Sequence, residues 1–325
     1  PPPLIRRPAQ RVPSPSSALS RLRLRCPELL LDDDDLDHSF TEPVESSDKE
    51  LLKWEKKPTE REIDAQKAVA KILNNNNNYT IKDVAGDGSC FFAVIIAAYE
   101  FLNKCTEVTV KDLRKILSES MEEKHFQNYN KIYNDLTKVY NKAVEEKVKA
   151  ETVEDRAEKA KAVAEIEDNL NQVIFMEHIK DLEGLKEHIL TSGFWADDLS
   201  QTILEEKLNI KFIIISKNLG GLSCSAIPNI IGKFKPKYYI IIYHTGNHFM
   251  LIKYRNKGIF RFHELPFGLR EQIVSKCMKG ESGVYHQIPK FLKLKKRLSE
   301  EGPTARPPHT PSGPLPPQPR SLDNA

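Results

Sequence analysis

The sequence contains no apolar run long enough to cross a membrane and no strong excess of charge of either sign. Its longest apolar run, 90–98, is far shorter than the 18 or so residues that a spanning helix needs. The first 27 residues lack the apolar segment of a secretory signal. Forty-nine basic and 46 acidic residues leave a net charge of +3, which gives no overall electrostatic reason for binding nucleic acid or a bilayer. The sequence therefore predicts a protein with neither a membrane span nor a nucleic-acid partner.

Cysteine is scarce as well. The five cysteines are odd in number and widely spaced, and no two form a CxxC pair, which argues against both a disulfide framework and a zinc site. This pattern predicts a reducing, cytoplasmic compartment. The Lys, Asn and Ile bias of the central part, beside Arg- and Pro-rich ends, raises a second hypothesis of a secreted effector that acts in the cytosol of a host cell.

Proline divides the chain into three parts. Of 21 prolines, eight precede residue 49 and eight follow residue 302, whereas all 34 lysines lie between these ends. We predict two disordered, Pro-rich tails over 1–48 and 299–325 around one folded domain over 49–298.

The domain has the pattern of an α/β (α+β) fold, with a small central sheet flanked by helices. A capping box at Thr59 predicts a helix to about residue 73, and the apolar segment 90–102 and Thr109 predict two more helices. Strands are predicted over 79–84, 211–215, 238–243 and 248–254, with a further short strand over 259–262. A helix over 197–208 and a terminal helix over 266–278 complete the prediction, and the basic stretch 290–297 is expected to be a solvated helix end.

The segment 121–190 contains no proline and one glycine, so we predict that it is helical throughout. Its part 144–164 carries mainly small apolar residues among Glu and Lys and has little surface to bury. This segment is expected either to project from the domain or to fold back as a helical hairpin, with coiled-coil character but without the clean heptads of a coiled-coil dimer.

The candidate reaction centre is the segment 86–92, with the letters G-D-G-S-C-F-F. Cys90 falls at the first turn of a predicted buried helix, where unpaired N–H groups and the helix dipole lower the pKa of a thiol. The flexible Gly88 would allow N–H groups of this loop to converge on an oxyanion. The alternative is that Cys90 is a small buried apolar side chain.

A thiolate needs a base, and His248 begins a predicted strand directly after a tight turn, where its ring would be held firmly. His244 is the competing candidate, but it opens the turn, where side chains more often face water.

Three blocks of the sequence resemble the ovarian-tumour (OTU) family of cysteine proteases, most of whose characterised members are deubiquitinases. Residues 87–92 resemble the family's D-G-x-C-L-F/Y box, 194–197 with the strand 213–215 resemble its W-G block, and 243–249 resemble its terminal strand-turn-histidine signature. The resemblance covers about residues 60–265. It implies a papain-type fold in which Cys90 is the nucleophile, His248 is the general base and Asp87 lies near the oxyanion hole.

One residue departs from the family pattern. Many members place Asn or Asp two positions after the histidine, and here that position is Met250, which cannot orient the ring. The third member must then come from elsewhere or be absent. Asp87 and Asp83 are the candidates upstream of the cysteine, and the weaker ones are Asn247, Asn256 and Glu264.

The resemblance implies a monomeric thiol protease that needs no cofactor or metal and cleaves the isopeptide bond after the C-terminal glycine of ubiquitin or a ubiquitin-like modifier. The insertion 128–190 would supply a ubiquitin-binding surface, or would serve as a spacer or partner-binding arm. Two alternatives remain: an OTU-fold module that binds ubiquitin or polyubiquitin without effective cleavage, and a helical scaffold in which the cysteine box is a coincidence.

Overall fold

A computed structural model of the chain describes residues 17–27, 58–102, 105, 108–224, 234–280 and 283–300. Within these residues the chain forms ten α-helices and five β-strands. The helices are α1 (Ala18–Arg25), α2 (Glu60–Ile72), α3 (Cys90–Tyr99), α4 (Val110–Ser120), α5 (Glu123–Val148), α6 (Val153–Asn171), α7 (Leu182–Ile189), α8 (Asp198–Leu208), α9 (Phe267–Cys277) and α10 (Pro289–Glu300). The strands are β1 (Tyr79–Lys82), β2 (Ile210–Ser216), β3 (Gly221–Leu222), β4 (Tyr238–His244) and β5 (Phe249–Tyr254).

The five strands form one mixed sheet with the order β1-β5-β4-β2-β3. The central pair β2 and β4 is parallel, and every other pair is antiparallel. β4 and β5 are joined by the tight turn at 245–248, so the start of β5 lies beside the end of β4. Because β5 also pairs with β1, residues that follow β1 come close to that turn.

Helices cover both faces of this sheet, and the alternation of side chains along each strand divides the core in two. One cluster packs α3, α4 and α8 against residues such as Ile240, Ile242 and Leu251, and the other packs α2, α9 and α10 against Ile241 and Ile252. The predicted fold class, a small central sheet flanked by helices, is therefore confirmed.

Capping signals fix several of the predicted helix starts. Thr59 and Glu62 form a reciprocal capping box at the start of α2, and Thr109 and Asp112 form another at the start of α4. Each box satisfies backbone N–H groups that the first turn of a helix leaves without partners.

The insertion folds back on itself as a helical hairpin, one of the two arrangements expected for it. α5 and α6 pack against each other, and the connection between them ends at Thr152, which caps α6. Tyr129 fixes the base of the hairpin because its hydroxyl group donates a 2.7 Å hydrogen bond to Asp197, the N-cap residue of α8.

Part of the segment predicted to be a disordered tail is a helix packed on the domain. α1 buries Ala18 and Leu22 against the core, and the Ala18 N–H donates to Glu119 on α4. The composition did not reveal the apolar periodicity of this short amphipathic segment, because Arg and Pro dominate the residues around it. Of the two predicted tails, the structure describes 17–27 and 299–300, the second of which ends α10, and their other residues lie outside the described part of the chain.

The cysteine prediction was wrong. Two disulfides join Cys26 to Cys105 and Cys224 to Cys277, with sequence separations of 79 and 53. Such long-range pairs are set by topology, so neither the odd number of cysteines nor the lack of a CxxC pair could exclude them. The reducing compartment inferred from that pattern stays a prediction.

Two further predictions near the C-terminus need correction. Residues 259–262 do not form a strand: Phe260 makes a single bridge to Tyr239, and Phe262–Glu264 is a short 3₁₀-helix. The helix predicted over 266–278 is not the terminal one, because α9 is followed by α10. α10 buries Phe291 and Leu294, and its Lys295 donates a 2.6 Å hydrogen bond to the carbonyl oxygen of Met278.

Candidate functional site

Cys90 is the first residue of α3 and the one cysteine of the five without a disulfide partner. Its sulfur lies near three backbone N–H groups, which belong to Phe249, to Phe91 and to Cys90 itself. Phe249 directly follows His248, so the thiol contacts the segment that carries the predicted base. The helix α3 packs against β5, which accounts for this contact between distant parts of the sequence.

Burial raises the pKa of the Cys90 thiol above its ordinary value. The three backbone N–H groups lower the pKa but do not outweigh burial, and the nearby Asp87 raises it further. The sequence argument, which weighed only the helix terminus, expected a lowered pKa. A resting thiol with a raised pKa is protonated at neutral pH and must lose its proton to a base as it attacks.

His248 is buried in the turn before β5, and its ring is held by an aspartate. Nε2 lies 2.7 Å from Oδ1 of Asp83, which follows β1. Because a carboxylate accepts hydrogen bonds, the ring donates its Nε2–H to Asp83 and leaves the lone pair on Nδ1. The ring edge formed by Nδ1 and Cε1 lies against the loop that leads to Cys90, since both atoms are 3.8 Å from the position that a Cβ on Gly86 would occupy. The ring is thus set as a proton acceptor on the side of the thiol's loop.

Asp83 is itself held by several groups. Its Oδ1 also accepts from the N–H of Val84 at 2.8 Å, and its backbone N–H donates to Oε1 of Glu62 at 3.1 Å. Arg61 lies 3.7 Å from the other carboxylate oxygen. Since Oε2 of Glu62 accepts from the N–H of Thr59 at 2.9 Å, the same side chain that caps α2 also fixes Asp83.

Asp87 has a different position from Asp83. Its Oδ1 accepts the N–H of Ser89 at 3.0 Å, so its carboxylate stabilises the loop before α3. Sequence reasoning placed Asp87 near the oxyanion hole and offered both aspartates as partners for the histidine; the structure brings Asp83 to the ring of His248.

The loop depends on Gly88. Its φ of +81° is a conformation that favours glycine, and a Cβ at this position would lie 2.2 Å from the carbonyl oxygen of Ser192. Among the described residues, neither the N–H of Gly88 nor that of Cys90 donates to a protein oxygen. These two N–H groups are therefore the candidates for oxyanion stabilisation.

A buried arginine, Arg114 on α4, also contacts the loop, and sequence reasoning missed it. It donates to the carbonyl oxygen of Gly88 at 3.1 Å and to Oγ of Ser89 at 3.2 Å. A signal was present, because the apolar periodicity that includes Leu113 and Leu117 places Arg114 on the buried face of α4. A charged residue on such a face requires partners.

His244, the competing candidate for the base, and Met250, which departs from the family pattern, both lie away from the contact between His248 and Asp83. His244 ends β4 with its ring stacked on Phe249 at a centroid distance of 4.3 Å, and burial lowers its pKa, although Asp198 raises it. Met250 is fully buried in the core cluster that contains α2 and α9. It is a core residue, and the carboxylate that contacts the His248 ring belongs to Asp83. The three weaker candidates form other contacts. Asn247 accepts a hydrogen bond from Thr245, Asn256 accepts one from Lys253, and Glu264 pairs with Lys257.

The tryptophan block borders the loop. Phe194 is fully buried, whereas Trp195 is 59% exposed and its Nε1 lies 3.1 Å from the position of a Cβ on Gly88. An exposed indole therefore lies beside the loop that precedes Cys90.

The described residues contain no group of three His, Cys, Asp or Glu side chains arranged to hold a metal ion. A helix long and apolar enough to span a membrane is likewise absent from the described part of the chain.

Comparisons with known proteins find similarity among solved structures only. No family model matches the chain, and no curated protein matches it by sequence. Among solved structures, the chain is similar to an ovarian tumour (OTU) domain in complex with ubiquitin, at a TM-score of 0.33 and 17% identity, over 69% of this chain and 88% of that one. A similarity at this level does not establish a family, and the function proposed below does not depend on it.

Proposed function

We propose that the chain is a thiol hydrolase of the deubiquitinase type, with Cys90 as nucleophile, His248 as general base and acid, and Asp83 as the group that orients His248. The observation that carries this proposal is the 2.7 Å contact between His248 Nε2 and Asp83, in a ring whose other nitrogen faces the loop of the one unpaired cysteine. A nucleophile, a base and a group that orients the base are the three parts that this chemistry requires.

The proposed reaction has two stages. The sulfur of Cys90 attacks the carbonyl carbon of the scissile amide while its proton passes to Nδ1 of His248, and the oxyanion is stabilised by N–H groups of the loop 88–90. The C–N bond then breaks as His248 returns the proton to the departing lysine amine, which leaves a thioester on Cys90. In the second stage His248 takes a proton from water as the oxygen of that water attacks the thioester carbon. The C–S bond then breaks, His248 returns the proton to the sulfur of Cys90, and the product leaves as a carboxylate after losing its own proton to solvent.

The substrate class rests on the three sequence blocks that resemble the OTU family. Residues 87–92, 194–197 and 243–249 meet around Cys90, although they are far apart in the chain. On this basis the scissile bond follows the C-terminal glycine of ubiquitin or a ubiquitin-like modifier.

The helical hairpin is proposed to contribute to ubiquitin binding. Its base is tied to the Trp195 segment through the Tyr129–Asp197 hydrogen bond. Ile132 and Val139 on α5 are 38% and 51% exposed and seven residues apart, so they share one face of the helix. Exposed apolar side chains on one face are a common feature of protein-binding surfaces.

The hairpin proposal predicts that replacing Ile132 and Val139 with serine raises KM for ubiquitin substrates several-fold and leaves kcat unchanged. The matched control replaces Val148 and Val153, which are 76% and 78% exposed at the tip of the hairpin. If both double variants and a deletion of residues 141–168 retain the KM of the wild type, the hairpin is a spacer.

The proposed activity is tested by incubating the purified chain with each linkage type of di-ubiquitin beside a Cys90→Ala control. Cleavage by the wild type alone supports the proposal. Binding of ubiquitin without cleavage would replace the enzyme by a ubiquitin-binding module, and absence of both would favour the scaffold alternative.

A further inference from the structure

Arg114 joins three segments that surround Cys90. One guanidinium nitrogen donates to the carbonyl oxygens of Ile189 and Phe194 at 2.9 and 3.1 Å, which lie at the end of α7 and just before Trp195. The other donates to the carbonyl oxygen of Gly88 and to Oγ of Ser89. The side chain is 3% exposed and stacks on Phe92 at 4.5 Å. The nucleophile loop and the tryptophan segment are thus held by the same side chain.

These contacts fix one peptide plane in the loop. In a trans peptide the C=O and N–H point in opposite directions, and here the C=O of Gly88 is directed to Arg114 while the N–H of Ser89 is directed to Asp87. With this plane held at both ends, the N–H groups of Gly88 and Cys90 on either side of it are held as well. Preorganised donors of this kind stabilise an oxyanion without reorganisation during the reaction.

The charge of Arg114 also acts at the nucleophile. The guanidinium interacts favourably with the carboxylate of Asp87 and with the thiolate form of Cys90. Because burial removes most of the solvent screening, such an interaction is stronger here than at the surface. An apolar residue could fill the same space in the core without the cost of burying a charge.

On the basis of the function proposed above, we propose that Arg114 is a positioning residue that holds the Gly88–Ser89 peptide for oxyanion stabilisation and supplies the positive charge that stabilises the Cys90 thiolate. It touches neither the scissile bond nor His248, so its effect reaches the reaction through the loop and through the electrostatic field.

Two substitutions separate these roles. Arg114→Met removes the charge and every hydrogen bond, whereas Arg114→Lys keeps the charge but cannot reproduce the planar fork that binds four acceptors. Arg270 on α9 provides the matched control, since it is 4% exposed, stacks on Phe262 and Phe267, and belongs to a helix that packs on the opposite face of the sheet.

The first readout is the pH dependence of Cys90 alkylation by iodoacetamide, measured without reductant and with Cys90→Ser as the blank. Arg114→Met is expected to move the midpoint to higher pH, the direction in which loss of a nearby opposite charge shifts the pKa of a thiol. Arg114→Lys is expected to keep the wild-type midpoint within a few tenths of a unit. Arg270→Met should leave it unchanged, even if this variant is equally destabilised.

The second readout is the kinetics of a ubiquitin C-terminal fluorogenic amide. Arg114→Lys is expected to lower kcat at least about ten-fold with KM unchanged, the signature of an interaction made in the transition state. Arg270→Lys should retain kcat. If Arg114→Met fails to fold, the comparison of the two lysine variants decides the positioning role.

An unshifted alkylation midpoint in folded Arg114→Met would refute the electrostatic role, and equal kcat values for Arg114→Lys and Arg270→Lys would refute the positioning role. The alkylation measurement uses no ubiquitin. A wild-type chain that cleaves no ubiquitin substrate would therefore overturn the proposed function, while the midpoint shift would still report on Arg114.

Discussion

Asp83 and Asp87 are both upstream of Cys90, and the structure predicts very different consequences when each is replaced by asparagine. Asp83→Asn preserves the shape of the side chain, and its oxygen can still accept hydrogen bonds from the His248 ring and Val84. The variant loses the negative charge that stabilises the imidazolium formed when Cys90 gives up its proton. Asp87→Asn keeps an oxygen that accepts the N–H of Ser89. Because the ring of His248 contacts Asp83 and not Asp87, removing the charge of Asp87 should change the rate little.

The magnitude follows from the 2.7 Å contact. With Nε2 and Oδ1 at that distance, the centres of the two charges are about 4 Å apart, which corresponds to about 4 kcal/mol at an effective dielectric constant of about 20. At about 1.4 kcal/mol per factor of ten, kcat/KM is expected to fall by about 10³. For Asp87→Asn we expect a change of less than about ten-fold, because the remaining neutral hydrogen bond retains about 1 kcal/mol.

The assay is the initial rate of cleavage of a ubiquitin C-terminal fluorogenic amide, with the free energy of unfolding measured for each variant by urea titration. Similar stability of the two variants would assign the difference in rate to chemistry. The assignment of Asp83 as the third member is refuted if Asp83→Asn stays near the wild-type rate and Asp87→Asn loses about 10³-fold.

Three further predictions concern the loop, the thiol and the disulfides. Gly88→Ala is expected to lose activity and about 3 kcal/mol of stability, because φ is positive and the new Cβ would lie 2.2 Å from a carbonyl oxygen. Gly220→Ala, where φ is +58° but the space is open, should lose only about 1 kcal/mol in urea titration. Equal losses in the two variants would contradict the clash at Gly88. The midpoint of Cys90 alkylation is expected at higher pH than that of an exposed cysteine, because burial raises its pKa, and a lower midpoint would contradict this. Non-reducing mass spectrometry should find one free thiol and two disulfides, and five free thiols would contradict both disulfides. Replacing either cysteine pair by serine should lower the free energy of unfolding by about 4 kcal/mol, because the disulfides close loops of 79 and 53 residues.

The elements that the sequence predicted share one property, namely that their signals are local. The capping box at Thr59, the apolar run from Cys90 and the turn before Phe249 each depend on residues close together in the chain, and each forms as predicted. The α/β class followed from these elements. α1 was missed because its eight residues lie in a stretch whose composition is dominated by Arg and Pro.

The candidate site could be predicted only in part because it depends on contacts across the chain. Cys90 and His248 were recognisable from their own neighbourhoods, but the choice between Asp83 and Asp87 depends on the pairing of β1 with β5, which brings the residue after β1 to the turn before β5. The second use of Glu62, as a partner for Asp83, is likewise invisible in a capping pattern. The contacts of Arg114 depend on how α4 packs, and the disulfides depend on the chain topology. Neither could therefore be predicted from residues close together in the sequence.

The most direct measurement of the central claim is the reaction of the chain with a ubiquitin derivative that carries an electrophile in place of its C-terminal carboxylate, followed by peptide mapping of the adduct. The account predicts a single adduct on Cys90 that is absent in Cys90→Ala and forms much more slowly in His248→Ala. Absence of an adduct on the folded wild-type chain, or an adduct on another residue, would contradict it.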